Sequence, residues 1–466
     1  MTPPSIIQGG MGAGVSSWPL AKAVSEQGQL GVVSGTALDS IMARRLQLGD
    51  VGGHIKYALS FFPNKQIAEC VYEKYYVRAG KHNGKFKLIP KWTINPSKAL
   101  FELAVVANFV EVFLAKEGHE GIVGINYLEK IQMPNLASIY GAMLAGVDYI
   151  LMGAGIPWEI PDVIKKYVHH EEAFLSMDVI GLETGEKILM RFNPQDVVGE
   201  IAKSLKLPKF LPIVSSFVLA KKLTGRADGF VIEGPIAGGH NALPRGLLQL
   251  DKNGEPVYGE KDEVDLDKIA GLGLPFWLAG GFGSPAGLQK ALSLGASGIQ
   301  VGTPFALCQE SGLGIDYKQA ILQKITAEEL VVLTDHRASP TGFPFKVVQL
   351  EQTLSEREAY EKRPRICDLG YLRSLQKKQG TIGYICPAEI KTSFLAKGGT
   401  TPETQGRKCL CNALMANIGL GQNQHVGGEE RPLITLGSNV EVVRPIIEQY
   451  GLSYTASDVI NFILDE

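Results

Sequence analysis

Eight short apolar runs, each closing on or beside glycine or a small polar residue, set the tightest limit on how this chain can fold. They fall at 6–8, 31–34, 122–126, 149–152, 211–214, 229–232, 276–279 and 298–301. Runs this short and this uniformly apolar are buried on both faces, as the strands of a parallel sheet are. Helical patterns separate most of them, and eight such repeats predict an α/β chain folded as a (β/α)8, or TIM, barrel. The helix after the second run takes Asp39 or Ser40 as its cap, with Ile41, Met42, Arg45 and Leu48 keeping a 3.6-residue period. The helix after the seventh opens at Ser284-Pro285, where proline suits the first helical position because its missing N–H would find no partner there.

At 466 residues the chain exceeds an ordinary single barrel. The pattern places the barrel in 1–337, with an insertion after the second strand at about 52–121, rich in Tyr, Phe and Lys. Residues 182–192 read as a decorating hairpin around Thr184-Gly185. From 338 to 466 the strand and helix alternation stops, and a mostly helical C-terminal extension, or lid, is expected. Between Arg337 and Lys408 stand thirteen Lys or Arg against seven Asp or Glu. That excess suits either a solvated cap or a docking face for an acidic partner.

The formal net charge of -2 offers no basic surface for nucleic acid, so a small-molecule ligand is expected. No apolar stretch approaches about 18 residues, and the expectation is a cytoplasmic protein without a membrane span, self-associating into a homo-oligomer. Six cysteines are too few for a disulfide scaffold. Four of them, Cys367, Cys386, Cys409 and Cys411, are able to supply thiolates to a metal, but their spacing matches no common zinc pattern; they are read as reduced thiols, with no metal site.

Active-site loops of a barrel follow its strands. After the first comes Gln8-Gly9-Gly10-Met11-Gly12, after the second Ser34-Gly35-Thr36, and Asn126 closes the third. Glycines there let backbone amides approach a planar ligand or an anion. The seventh and eighth runs end in Gly280-Gly281 and Gly302-Thr303, the position where barrels often bind phosphate between two loops and a helix N-terminus. An FMN phosphate fits there, with the flavin ring over the barrel mouth against the first loop; plain turn geometry is the alternative. His240, in Ala237-Gly238-Gly239-His240-Asn241, is the candidate acid-base residue, because an imidazole titrates near working pH. His169 and His170 are expected at the surface, and His54, His82 and His119 lie in or beside the insertion. Cys308 is read as core.

In Ile7-Gln8-Gly9-Gly10-Met11-Gly12, Gly124-Ile125-Asn126, Ala237-Gly238-Gly239-His240, Ala279-Gly280-Gly281 and Gln300-Val301-Gly302-Thr303, the chain resembles the nitronate monooxygenase, or 2-nitropropane dioxygenase, family. That family is related to FMN-dependent enoyl-ACP reductases and to the trans-acting enoyl reductases of polyketide and polyunsaturated fatty acid synthases. The tail, with Cys367-Asp368-Leu369-Gly370 and Cys409-Leu410-Cys411-Asn412, looks like that of a long-chain branch. The resemblance implies FMN and a histidine base at His240. Asn241-Ala242 follows it, where many shorter relatives have a basic residue and glycine.

Three functions follow as expectations. The first is oxidation of a nitronate or similar activated substrate with oxygen. The second is NAD(P)H-dependent reduction of an enoyl group carried by an acyl carrier protein. The third is a barrel that binds a phosphorylated ligand without redox chemistry.

Overall fold

The computed structural model describes residues 3–80, 84–424 and 428–465. His82 lies outside them. Eight parallel strands carry the architecture: β1 (Ile6–Gln8), β2 (Gly31–Ser34), β3 (Val123–Leu128), β4 (Tyr149–Gly153), β5 (Lys209–Val214), β6 (Phe230–Glu233), β7 (Phe276–Ala279) and β8 (Gly298–Val301). Neighbours pair in chain order, and β1 pairs with β8 through Ile6↔Ile299 and Gln8↔Val301. Between β1 and β2 the ladder is completed by Leu30, whose N–H donates to Ile6 and whose carbonyl accepts from Gln8 at 2.9 Å. The chain is a TIM barrel.

Its interior is filled by Ile7, Leu30, Val32, Tyr149, Leu151, Leu211, Val231, Trp277 and Ala279. The indole of Trp277 donates to the Pro4 carbonyl at 2.7 Å, closing the N-terminal end. Packing between layers is tight enough to exclude a methyl group. A Cβ on Gly31 of β2 would stand 1.9 Å from the Ala21 carbonyl oxygen and 2.6 Å from the Ser25 hydroxyl, both in helix Trp18–Glu26. Gly31→Ala is therefore expected to destabilise the fold by about 1–3 kcal/mol, the usual cost of overpacking. A urea midpoint unchanged from the parent chain would contradict this reading.

Local details depart from the sequence reading. The helix after β2 runs Leu38–Gln47, and its N-cap is Ala37, in the left-handed region at φ 57. Asp39 and Ser40 are spent elsewhere. Asp39 is buried in the first turn, where it accepts from Trp92 Nε1 at 2.8 Å and from the Tyr371 hydroxyl, and Ser40 Oγ meets that hydroxyl at 2.7 Å. Ser284 does cap Pro285–Ser293, accepting from Gly287 N at 3.1 Å. Thr184-Gly185 occupies a turn, but the strand after it, Leu189–Phe192, pairs with Ala173–Ser176, well before that turn. His170 is buried rather than exposed, because its ring bridges the Tyr140 hydroxyl and the Lys203 carbonyl.

Between β2 and β3 lie helices His54–Leu59, Lys65–Tyr75 and Lys98–Lys116. The tail adds strands that the sequence reading did not anticipate. Beside short helices it contains the antiparallel pair Ser374–Lys378 and Thr381–Ile385, which also accepts Val179–Ile180 as a third strand. The left-handed Gln379 and Gly380 supply the turn. A second pair, Val332–Asp335 with Phe345–Val348, spans the 337/338 boundary. The last helix, Ala456–Leu464, packs back on Trp18–Glu26 and Pro285–Ser293. Among the described residues no helix is long and apolar enough to cross a membrane.

Candidate functional site

A cavity of about 480 Å³ opens at the C-terminal ends of the strands. Its floor is the loop after β1, which buried side chains hold rigid. Gln8 Oε1 accepts from Val32 N at 2.9 Å, and its amide nitrogen donates to Ser16 Oγ at 2.8 Å. Ser16 Oγ in turn donates to the Gly9 carbonyl and accepts from Met11 N. A Cβ at Gly10 would stand 2.4 Å from that of Asn126, so glycine lets the loop lie flat against β3.

Of the residues singled out from sequence, Gly9, Gly10, Met11, Gly12, Thr36, Asn126, Gly238, Gly239, His240, Gly280, Gly281, Gly302 and Thr303 all line this cavity. Gly35 does not. It lies behind the wall, where a Cβ would be 2.3 Å from the ring of Tyr127. Its smallness serves packing. Gly280 and Gly281 hold φ of 96 and 81, a left-handed backbone that a side chain resists.

Three buried side-chain oxygens at or beside the cavity have no hydrogen-bond partner: Asn126 Oδ1, Gln300 Oε1 and Asn241 Oδ1. Buried acceptors are rarely left unpaired, because desolvation without a partner costs about 1–3 kcal/mol. A ligand with N–H or O–H donors satisfies them. These acceptors suit a flat ring system that carries donors over the β1 loop, and the glycine turns after β7 and β8 suit an anionic group.

The His240 ring is fixed on two sides. Nε2 lies 2.6 Å from Ser339 Oγ, and the ring meets Phe345 edge-on with centroids 4.9 Å apart. Burial, then the charge of Lys130, depresses its pKa to about 3, so it is a neutral imidazole across the working range. Lys130, two residues past β3, places its ammonium 3.1 Å from the centroid of Phe343. Burial lowers it to about 7 against the opposing pull of Glu129 and Glu233. Glu233, the last residue of β6, is raised to about 7 by burial, with Lys130 acting against that rise. Three titratable groups thus share one mouth.

Sequence reasoning missed Lys130 and Glu233 as site residues, although charged side chains at the C-terminal ends of barrel strands are a usable signal. The tail, expected as an extension or lid, contributes part of the wall through residues that the sequence reading did not name. Thr435 Oγ1 accepts from Gly239 N at 2.8 Å, Gly437 N donates to Thr303 Oγ1 at 3.0 Å, and Ser438 N donates to the Ile236 carbonyl. A Cβ on Gly238 would stand 2.9 Å from the Leu436 carbonyl carbon. The segment 435–439 lies directly across the loops after β6 and β8.

Residues 179–360, which contain His240 and the glycine turns after β7 and β8, match the family model described as nitronate monooxygenase. The nitronate monooxygenase of Pseudomonas aeruginosa is 36% identical over 118 residues, 25% of this chain and 32% of that protein. A Mycobacterium tuberculosis protein named (3aS,4S,5R,7aS)-5-hydroxy-7a-methyl-1-oxo-octahydro-1H-indene-4-carboxyl-CoA dehydrogenase is 32% identical over 142 residues, 30% of this chain and 35% of its own. The chain thus spans about a third of the length of the curated relatives it matches. The solved nitroalkane oxidase of Streptomyces ansochromogenes superposes with a TM-score of 0.50 at 14% identity, covering 100% of this chain and 96% of its own, a likeness of fold. Over residues 179–360, and over about a quarter of its length in the Pseudomonas aeruginosa protein, the chain is similar to nitronate monooxygenases.

Proposed function

We propose that this chain is an FMN-dependent oxidoreductase that oxidises a nitronate or a similar activated small substrate with oxygen. The observation that carries the reading is the cavity itself: glycine turns for a phosphate at one end, unpaired Asn126 and Gln300 oxygens for ring donors, and a fixed neutral imidazole at the rim. Bound FMN supplies electron acceptance from the substrate and its onward passage to oxygen. The residues do the rest. The backbone at 280–281 and 302–303 holds the phosphate, and the loop at 9–12 supports the ring. His240, unprotonated, takes the α-proton where the substrate arrives as the neutral nitroalkane, and orients the substrate where it arrives as the nitronate. Lys130 orients an anionic oxygen.

A second reading, reduction of an enoyl thioester using NAD(P)H, draws on the exposed apolar rim at Ile156 and Ile236, which suits a longer acyl chain, and on the thioester named in the mycobacterial relative. An acyl carrier protein is the partner that reading requires. The two separate cleanly: with oxygen excluded, rapid bleaching of the flavin by NADPH favours the reductase, and bleaching by propane-2-nitronate alone favours the oxidase. A colourless protein that takes up no FMN sinks both.

Phosphate binding has its own test. Gly281→Val puts a β-branched residue at φ 81, which such side chains avoid. FMN affinity is expected to fall about tenfold or more, for a strain of about 1–3 kcal/mol. Titration of the apoprotein by flavin fluorescence measures it, and an unchanged Kd would move the phosphate elsewhere.

A further inference from the structure

The tail carries a second constellation that the cavity chemistry leaves unused. Cys367, Cys386, Cys409 and Cys411 come from three stretches: the loop after helix Arg357–Lys362, the end of the hairpin at Thr381–Ile385, and the start of helix Leu410–Ala416. All four line one small void together with Arg373 and Glu389. None is in a disulfide. Cys411 also lines the large cavity, so void and cavity share a wall.

Four free thiols from three stretches of chain converge on that void, with Arg373 beside them. Asn412 Nδ2 donates to Cys409 Sγ at 3.6 Å. Sulfur ligands gathered in this way, with a cation against them, suit thiolates around a metal centre.

Spacing narrows the kind of metal. Among the described residues no three His, Cys, Asp or Glu side chains form a shell for a single ion. A zinc ion with bonds of about 2.3 Å would draw its sulfurs to about 3.8 Å from one another. A cluster distributes its thiolates over several irons and holds them further apart, and its negative charge suits Arg373 at the void and Lys91, whose Nζ donates to the Cys367 carbonyl at 2.5 Å. We propose that Cys367, Cys386, Cys409 and Cys411 ligate an iron–sulfur cluster set in the wall of the large cavity.

The full chain, purified without oxygen and reconstituted with ferrous iron and sulfide, is expected to hold about two to four irons with matching acid-labile sulfide, and to give a low-temperature EPR signal after dithionite. The Cys386→Ser, Cys409→Ser double variant is expected to lose iron and sulfide about tenfold, with circular dichroism reporting whether it folds. Should it misfold, the EPR signal of the parent chain still decides. Under about 0.2 iron per chain after reconstitution, a single zinc without sulfide, or iron retained by a folded double variant would each overturn the proposal. None of these readouts depends on flavin turnover.

Discussion

His240→Ala is expected to lower kcat/KM by about 10²- to 10⁴-fold, the range typical of a lost acid-base group, while FMN uptake stays near that of the parent chain. The separation follows from placement. The imidazole is held by Ser339 and Phe345 on the tail side of the mouth, whereas the turns proposed for the phosphate, Gly280-Gly281 and Gly302-Thr303, belong to other strands. Because its pKa is depressed to about 3, by burial and then by Lys130, the ring stays neutral from acid to alkaline working conditions. No break in the pH profile between about 5 and 9 should belong to it. Activity of His240→Ala within about threefold of the parent would remove the residue from the chemistry.

Lys130→Met carries the second large effect. Losing a charged contact to an anionic nitronate oxygen, about 1.5–3 kcal/mol, is expected to raise KM about tenfold or more, with Lys130→Arg recovering part of it. The pH profile adds a readout that simple structural damage would not mimic. Lys130 and Glu233 both stand near 7 and each favours the charge on the other, so they titrate as a coupled pair. Without the ammonium, the break left by Glu233 moves to higher pH. Glu233→Gln has the opposite sign: it removes the charge that had raised Lys130, so the remaining break moves down. Stability follows the same logic. The raised carboxyl of Glu233 contributes most below its ordinary range and loses that contribution as pH climbs through about 7, so Glu233→Gln should gain on the parent as pH rises to 8. Profiles that coincide in all three proteins would dismiss the pair.

The barrel was legible because its strands are buried on both faces. Tyr149–Gly153 and Phe276–Ala279 are apolar without alternation, as the interior strands of a parallel sheet are. Site glycines after β1, β7 and β8 were legible because they directly follow such strands. Gly35 shows the limit of that rule: it follows β2 equally closely, yet its open side faces Tyr127 and not the mouth. Asp39 was misread as a cap because an acidic residue at a helix start is ambiguous until its partners are known, and they lie at Trp92 and Tyr371. The tail wall left no local trace. Gly239 meets Thr435 across 196 positions, and a contact at that distance imposes no periodicity on either segment.

The strap at 435–439 also fixes an order of events. Every strand of the barrel precedes it by more than a hundred positions, so synthesis lays the strap down after the barrel. During synthesis the mouth is therefore roofless, and a ligand can settle on the finished strands before the roof is laid. Afterwards the hydrogen bonds from Gly239, Gly437 and Ser438 stand between that ligand and the solvent. Exchange of a ligand held in this mouth is therefore expected to be no faster than the opening of those hydrogen bonds.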